Sequence, residues 1–205
     1  MSRYYLFYTK QNFEKDFLSH IFNELSKEKV EITFIGDFCG FFVSNKDLYL
    51  TLDNVIKNIN LDLNIDINVL ICHKVDKGYF TLLKESFNFF KNQAMSLYEL
   101  LLTFNLNGET SFNKLLLKEF ENVPPYLIDT CKMYLEANQN AILTSKSLFI
   151  HRNTFNQRLE KFVELTSLDV RDFYNASYFL LYLKVKENYV QSTHTKVNFW
   201  KLEYR

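Results

Sequence analysis

NQNAILTSKSLFIHRNTFNQRLEKFVELT, residues 138–166, is the stretch on which the reading of the chain turns. Asn140 is placed to cap a short helix over Ala141 to Leu148, because its side-chain oxygen can accept from the free amides of a first turn. Phe149 and Ile150 then read as an apolar turn. A second helix opens near Arg152, and its Phe155, Leu159, Phe162 and Val163 recur at i, i+4, i+7 and i+8, which is one buried stripe. The opposite face carries Arg152, Asn153, Asn156, Gln157, Arg158 and Lys161, donors interrupted only by Glu160. A short helix, a tight turn and a second helix with an apolar back and a donor-rich front form the arrangement with which a helix-turn-helix enters a major groove. Ser145 falls where the first helix must cross the second closely, so a small side chain is expected there.

Several strings around this stretch carry a family resemblance. They are Tyr134 to Asn140 (YLEANQN), Ser147 to Thr154 (SLFIHRNT), Arg158-Leu159-Glu160 and Glu164-Leu165-Thr166. Together they resemble the C-terminal helix-turn-helix of the PucR/CdaR family of bacterial transcription regulators, over about Leu127 to Val185. The family usually has Gly where Gln139 and Ser167 stand, Leu for Phe155, and a basic-aromatic pair for Asn156-Gln157. The two glycine differences touch turns. The missing cation at Asn156 bears on affinity, since phosphate contacts supply much of DNA binding.

Composition bounds the rest. A chain of 205 residues with 47% hydrophobic residues suits one or two domains with a proper core. No run approaches a membrane span, and no basic segment precedes an apolar stretch at the start, so no secretion signal is expected. Cys39, Cys72 and Cys131 are isolated and odd in number, which fits reduced cytoplasmic thiols. Net charge is zero, an unusual balance for a nucleic-acid binder. The charge is uneven, however. Over residues 141–161, Lys146, Arg152, Arg158 and Lys161 stand against Glu160 alone, a local excess of three positive charges beside His151.

In chain order, residues 3–8 (RYYLFY) predict a strand, and Asn12 to Lys27 an amphipathic helix. Glu31 to Ile35 and Phe41 to Ser44 predict two strands joined at Gly36-Asp37 or at Gly40. Asp47 to Ile59 predicts a second helix, Ile67 to Cys72 a buried strand, and Tyr79 to Asn92 a third helix. This βαββαβ order gives an α+β class: a ferredoxin-like N-terminal domain, two helices on one face of an antiparallel sheet, followed by an all-α helix-turn-helix domain. The resemblance implies a degenerate GGDEF-like version of that domain. Ile35-Gly36-Asp37-Phe38 stands at the hairpin motif but lacks the second glycine and the acidic residue that cyclase chemistry requires. Asp37 reads better as a turn aspartate than as a metal carboxylate.

Residues 94–123 predict a helical connector, broken at Asn107-Gly108. The apolar content of Leu97 to Phe120 suggests packing between domains or a dimer surface, hence a dimer at micromolar concentration. Val123-Pro124-Pro125 marks the next boundary. The expected organisation is therefore 1–93, 94–123, a helix-turn-helix domain over 124–187 with a closing helix from Phe173 to Val185, and a tail over 188–205. The tail reads equally as a strand at Val197, Phe199 and Lys201 or as a disordered end.

The candidate DNA-contacting residues are His151, Arg152, Asn153, Thr154, Asn156, Gln157, Arg158 and Lys146. Arg152, in the first turn, can fork onto guanine O6 and N7 or onto a phosphate. Asn or Gln can pair both ways with adenine, although exposed amides are often only solvated. Thr154 and His151 read equally as contacts or as helix-start residues. Arg158 reads as a phosphate contact or as an ion pair with Glu136 or Glu164. Phe155 and Leu159 are core. His151 has no cysteine or carboxylate at ligand spacing, so neither a metal nor another cofactor is expected. The four glycines form no phosphate loop, and no Gly-x-Ser-x-Gly or His-Glu-x-x-His occurs, so no enzyme is expected.

The resemblance implies a cytoplasmic, sequence-specific transcriptional regulator that binds double-stranded DNA as a homodimer through residues 151–163. It leaves room for an unidentified small-molecule effector. The rival reading, motivated by zero net charge and Asn156-Gln157, is a non-enzymatic scaffold that keeps the helix-turn-helix fold without strong DNA binding.

Overall fold

The computed structural model describes residues 3–26 and 30–202. Their contacts divide the chain into two units, residues 1–104 and 105–205. The first is a mixed α/β unit and the second is helical, giving an α+β chain. The division falls inside the segment expected to be a connector.

The first unit is built on β1 (Arg3–Thr9), an aromatic strand with every reason to be central: its odd and even residues both find cover. It pairs antiparallel with β3 (Cys39–Ser44) on one side and β4 (Ile67–Cys72) on the other. The short β2 (Thr33–Ile35) adds antiparallel to β3, and β5 (Ala94–Ser96) adds parallel to β4, giving the order β2-β3-β1-β4-β5. Tyr5, Phe7, Phe42, Val69 and Ile71 form the core with Leu18 and Phe22 of α1 (Lys15–Ser26) and Leu52 and Ile56 of α2 (Tyr49–Leu63). The Tyr5 and Phe42 rings stack at 4.9 Å. Leu6 and Leu70, also fully buried, belong to the other set of alternating positions, and α3 (Lys77–Glu85) packs against β1 and β4.

The β2–β3 turn is Gly36 to Phe38, the first of the two expected places, with Gly36 at φ +75°, and Gly40 lies inside β3. Two local expectations are corrected. The third helix stops at Glu85 and tightens into a 3₁₀ turn over Ser86–Asn88. Asn92, expected to be helical, sits at φ +58° and accepts a hydrogen bond from the Ile67 amide. Finally, the sheet is not purely antiparallel. Residues 94–96, expected to open a helix, pair with β4, and Asp53 accepts from the Ala94 amide at 3.1 Å.

Much of the apolar stretch from Leu97 to Phe120 is buried within its own unit, while Leu106 stays exposed. Leu97, Leu100, Leu101 and Phe104 on α4 (Leu97–Leu106) are buried, with Phe104 packed edge-on to Phe89. Leu116 on α5 (Asn113–Glu119) and Phe120 after it belong to the helical unit. Phe120 is the hub of that unit's aromatic core, 4.1 Å from Tyr182, 5.6 Å from Phe179 and 6.2 Å from Phe162 between ring centres.

The remaining helices are α6 (Pro125–Glu136), α7 (Ala141–Ser147), α8 (Arg152–Thr166) and α9 (Phe173–Leu202). Pro125 opens α6 rather than merely ending what precedes it, since a helix start needs no amide there. Helix α9 begins where Asp172 accepts from the Tyr174 and Asn175 amides, and runs past Val185 to Leu202. The strand expected at Val197, Phe199 and Lys201 is therefore helical backbone. No glycine or proline after residue 172 stops the helix. Residues 203–205 of the expected tail, and the side chains from residue 190 on, lie outside the described residues. Among the described residues no helix is long and apolar enough to cross a membrane.

Candidate nucleic-acid interface

Helix α7 starts as its sequence demands: Asn140 Oδ1 accepts from the Ile142 and Leu143 amides at 3.0 and 3.1 Å. Ser145 is buried on α7, its hydroxyl donating back to the Ala141 carbonyl. The helix ends in a Schellman motif. The Phe149 amide donates to Lys146 O and the Ile150 amide to Ser145 O, with Phe149 itself at φ +53°. His151 then caps α8, its Nδ1 accepting from the Asn153 amide at 3.2 Å. That bond puts the imidazole proton on Nε2, leaving an exposed donor at the helix start.

Helix α8 buries Phe155, Leu159 and Phe162, and Phe155 packs on Tyr134 of α6 at 5.3 Å between ring centres. Exposed on its other side are Arg152 and Asn153 in the first turn and Asn156 and Gln157 one turn on, with Thr154 half-buried. Lys146 is exposed on α7. Arg158 is different. Its guanidinium donates to Thr130 Oγ1 at 3.2 Å and lies 5.3 Å over the Tyr126 ring, so it engages α6 rather than Glu136 or Glu164. Glu164 is bound by Lys161 at 2.8 Å. Among the described residues no group of three or more His, Cys, Asp and Glu side chains could hold a metal.

Three contributors escaped the sequence reading. Arg171 binds both Glu160 at 3.0 Å and Asp169 at 2.7 Å, so it counters the acidic residue that interrupts the donor face. Tyr126, half-exposed, supplies the ring beneath Arg158. Phe149 was read as part of an apolar turn, yet it is 96% exposed. The Arg171–Glu160 and Arg158–Tyr126 pairings are non-local and carry no spacing signal. The third was hidden because no glycine marks its left-handed position.

A buried-backed helix α8, preceded by the short α7 and seated on α6, defines a helix-turn-helix domain. Residues 127–185 match the family model described as the PucR C-terminal helix-turn-helix domain, and the chain carries that domain. Over 53 residues it is 38% identical to the uncharacterized protein YxkF of Bacillus subtilis strain 168, covering 25% of this chain and 18% of that one. Over 47 residues it is 40% identical to the proline-responsive transcriptional activator PutR of the same organism, covering 23% and 11%. The alignments thus span less than a fifth of either relative's length. The crystal structure of a regulator of polyketide synthase expression from Bifidobacterium adolescentis aligns with a TM-score of 0.43 at 17% identity, over 90% of this chain and 79% of that one.

The two family positions that usually hold glycine are both left-handed here: Gln139 at φ +58° and Ser167 at φ +58°. Gln139 offsets its strain by donating from Nε2 to Val170 O at 2.8 Å. Ser167, which ends α8 and donates its amide to Val163 O, is exposed. Ser167→Gly is therefore expected to stabilise the helical unit by about 1 kcal/mol, since only glycine escapes the Cβ clash there. A thermal melt showing a lower midpoint would contradict the geometry at that turn.

Proposed function

We propose that the chain is a sequence-specific, DNA-binding transcriptional regulator of the PucR/CdaR type, acting in the cytoplasm without catalytic activity of its own. It binds double-stranded DNA as a homodimer, with residues 151–163 of each copy in successive major grooves. The observation that carries this reading is the exposed donor row of α8 lying opposite the buried Phe155, Leu159 and Phe162. Arg152 and Asn153 meet base edges, as do Asn156 and Gln157. His151, Thr154 and Lys146 meet phosphates. Arg158 sits at the margin, braced by α6, and contributes field more than contact. The antiparallel order β2-β3-β1-β4 supports reading the N-terminal unit as ferredoxin-like, with a GGDEF-like hairpin whose Asp37 is a turn residue. That unit sets dimer geometry and offers a site to an effector.

The test is fluorescence anisotropy with a fragment from the promoter region of the protein's own gene, at low and at physiological salt. Arg152→Ala is expected to weaken binding by about 1–3 kcal/mol while leaving the helical circular dichroism unchanged. If Arg152 meets phosphate, the salt slope falls by about one per protomer; if it meets guanine, discrimination against other sequences falls instead. Binding that is absent at physiological salt, or indifferent to Arg152, would favour the scaffold reading suggested by the neutral charge and Asn156-Gln157.

A further inference from the structure

Phe149 is disfavoured where it stands on two separate grounds. Its backbone lies in the left-handed region, at φ +53°, where a bulky L-residue meets its own carbonyl and glycine is the usual occupant. Its ring is 96% exposed, so it gains nothing from the core. The backbone conformation is fixed by the two Schellman hydrogen bonds, which hold the Phe149 amide at 3.1 Å from Lys146 O and the Ile150 amide at 3.0 Å from Ser145 O. The ring is thus held outward on a short, bonded turn immediately before the His151 cap and the Arg152–Asn153 donors of α8. Strain retained by an over-determined turn beside a candidate site points to a use for the side chain it presents.

The chemistry of the neighbourhood names the occupant. Beyond the half-buried Ile150 come the donors His151, Arg152 and Asn153, suited to phosphate and base edges, in a zone with a local excess of positive charge. A phenyl ring can make no such bond. Among major-groove edges the apolar feature it complements is the thymine C5-methyl group. We propose that Phe149 is a specificity-determining residue that seats its ring against thymine methyl groups where α8 meets the groove. This rests on the DNA-binding reading above.

The test uses the full chain and one bound promoter fragment prepared in two forms, with thymidine or with deoxyuridine throughout. The second form keeps base pairing and removes only the methyl groups. Wild type is expected to bind the deoxyuridine form about tenfold more weakly, equivalent to about 1.4 kcal/mol. Phe149→Gly should bind the thymidine form about tenfold more weakly than wild type and show no further loss on deoxyuridine, as expected for two changes that remove one shared contact. Its melting midpoint should equal or exceed the wild-type value, because glycine fits the turn. Phe149→Asn, which also tolerates the left-handed region, should behave alike and control for added backbone freedom.

A variant that binds thymidine DNA as wild type does, or that loses affinity yet keeps the full deoxyuridine penalty, overturns the assignment. If wild-type binding is weakened by Arg152→Ala but not by Phe149→Gly, the DNA-binding reading stands and the Phe149 assignment alone fails. If wild type binds no fragment in a salt-sensitive way, both fail.

Discussion

Phe162→Ala is expected to cost the helical unit about 3–5 kcal/mol, the range for truncating a fully buried aromatic ring. Phe162 is 0% exposed, on the apolar stripe of α8. Its ring packs edge-on to Phe179 at 5.3 Å and parallel to Phe120 at 6.2 Å, so one truncation opens space against two other helical segments at once. Phe120 and Tyr182 are themselves in ring contact at 4.1 Å and cannot collapse into the gap without breaking that pair. Domain stabilities are typically about 5–15 kcal/mol, so the loss removes much of what holds α8 in place. Urea unfolding followed by helical circular dichroism should show a markedly lower midpoint, and DNA binding should fall with it at any salt concentration. That pattern separates it from Arg152→Ala, which is expected to spare the fold. An unchanged midpoint would mean that α5 and α9 do not close over α8 as described.

The same helix shows what a sequence can and cannot disclose. Of the stripe Phe155, Leu159, Phe162 and Val163, the first three are buried and Val163 is half-buried at its edge; the stripe was legible because positions at helical spacing leave one solution for the face. Asn140 was legible because the capping chemistry is local. Arg158 was ambiguous because its partners, Thr130 and Tyr126, lie on another helix and no spacing rule connects them. The left-handed residues Gln139, Phe149 and Ser167 gave no warning, since the usual signal for such a position is glycine and none stands there. The three positions differ in what offsets the strain: Gln139 is compensated by a side-chain hydrogen bond, Ser167 is uncompensated, and Phe149 presents its ring to solvent.

In the α/β unit, the strands with strong alternation or continuous apolar character appeared where the pattern placed them, β4 residue for residue. Strand β5 was illegible. Three residues, Ala94-Met95-Ser96, are too few to establish a period, and they run directly into the strongly helical Leu97–Leu106. What makes them a strand is tertiary: a parallel register on Val69 to Ile71 and the Asp53 carboxylate on the Ala94 amide. The aromatic tail misled for the converse reason. Val197, Phe199 and Lys201 alternate over too short a run to outweigh a helix already propagating from Asp172 with no breaker ahead.

Gly40→Ala is expected to destabilise the α/β unit by about 3 kcal/mol, the upper part of the usual range for overpacking. The residue is buried in β3, opposite Phe7 of β1 and Phe34 of β2. A Cβ added there would stand 2.6 Å from the Thr33 carbonyl oxygen and 2.7 Å from Phe7 Cζ. The first contact is backbone of a paired strand and cannot yield without loosening the β2–β3 ladder. The second is a ring confined by Phe13, Phe22 and Phe34, at 5.9, 5.5 and 6.0 Å, so it has no empty direction to move. Gly36, four residues earlier, makes the contrast that tests the mechanism. Its φ is +75° but a Cβ there would meet nothing within 4 Å, so Gly36→Ala carries only the conformational penalty, about 1–2 kcal/mol. Amide hydrogen exchange at Tyr5 and Phe42, paired across β1 and β3 next to Phe7 and Gly40, should report the difference: protection falls much further in Gly40→Ala than in Gly36→Ala. Equal losses in the two variants would mean that backbone conformation, not the close approach of Phe7 and Thr33, governs both, and the aromatic packing over β3 would have to be abandoned.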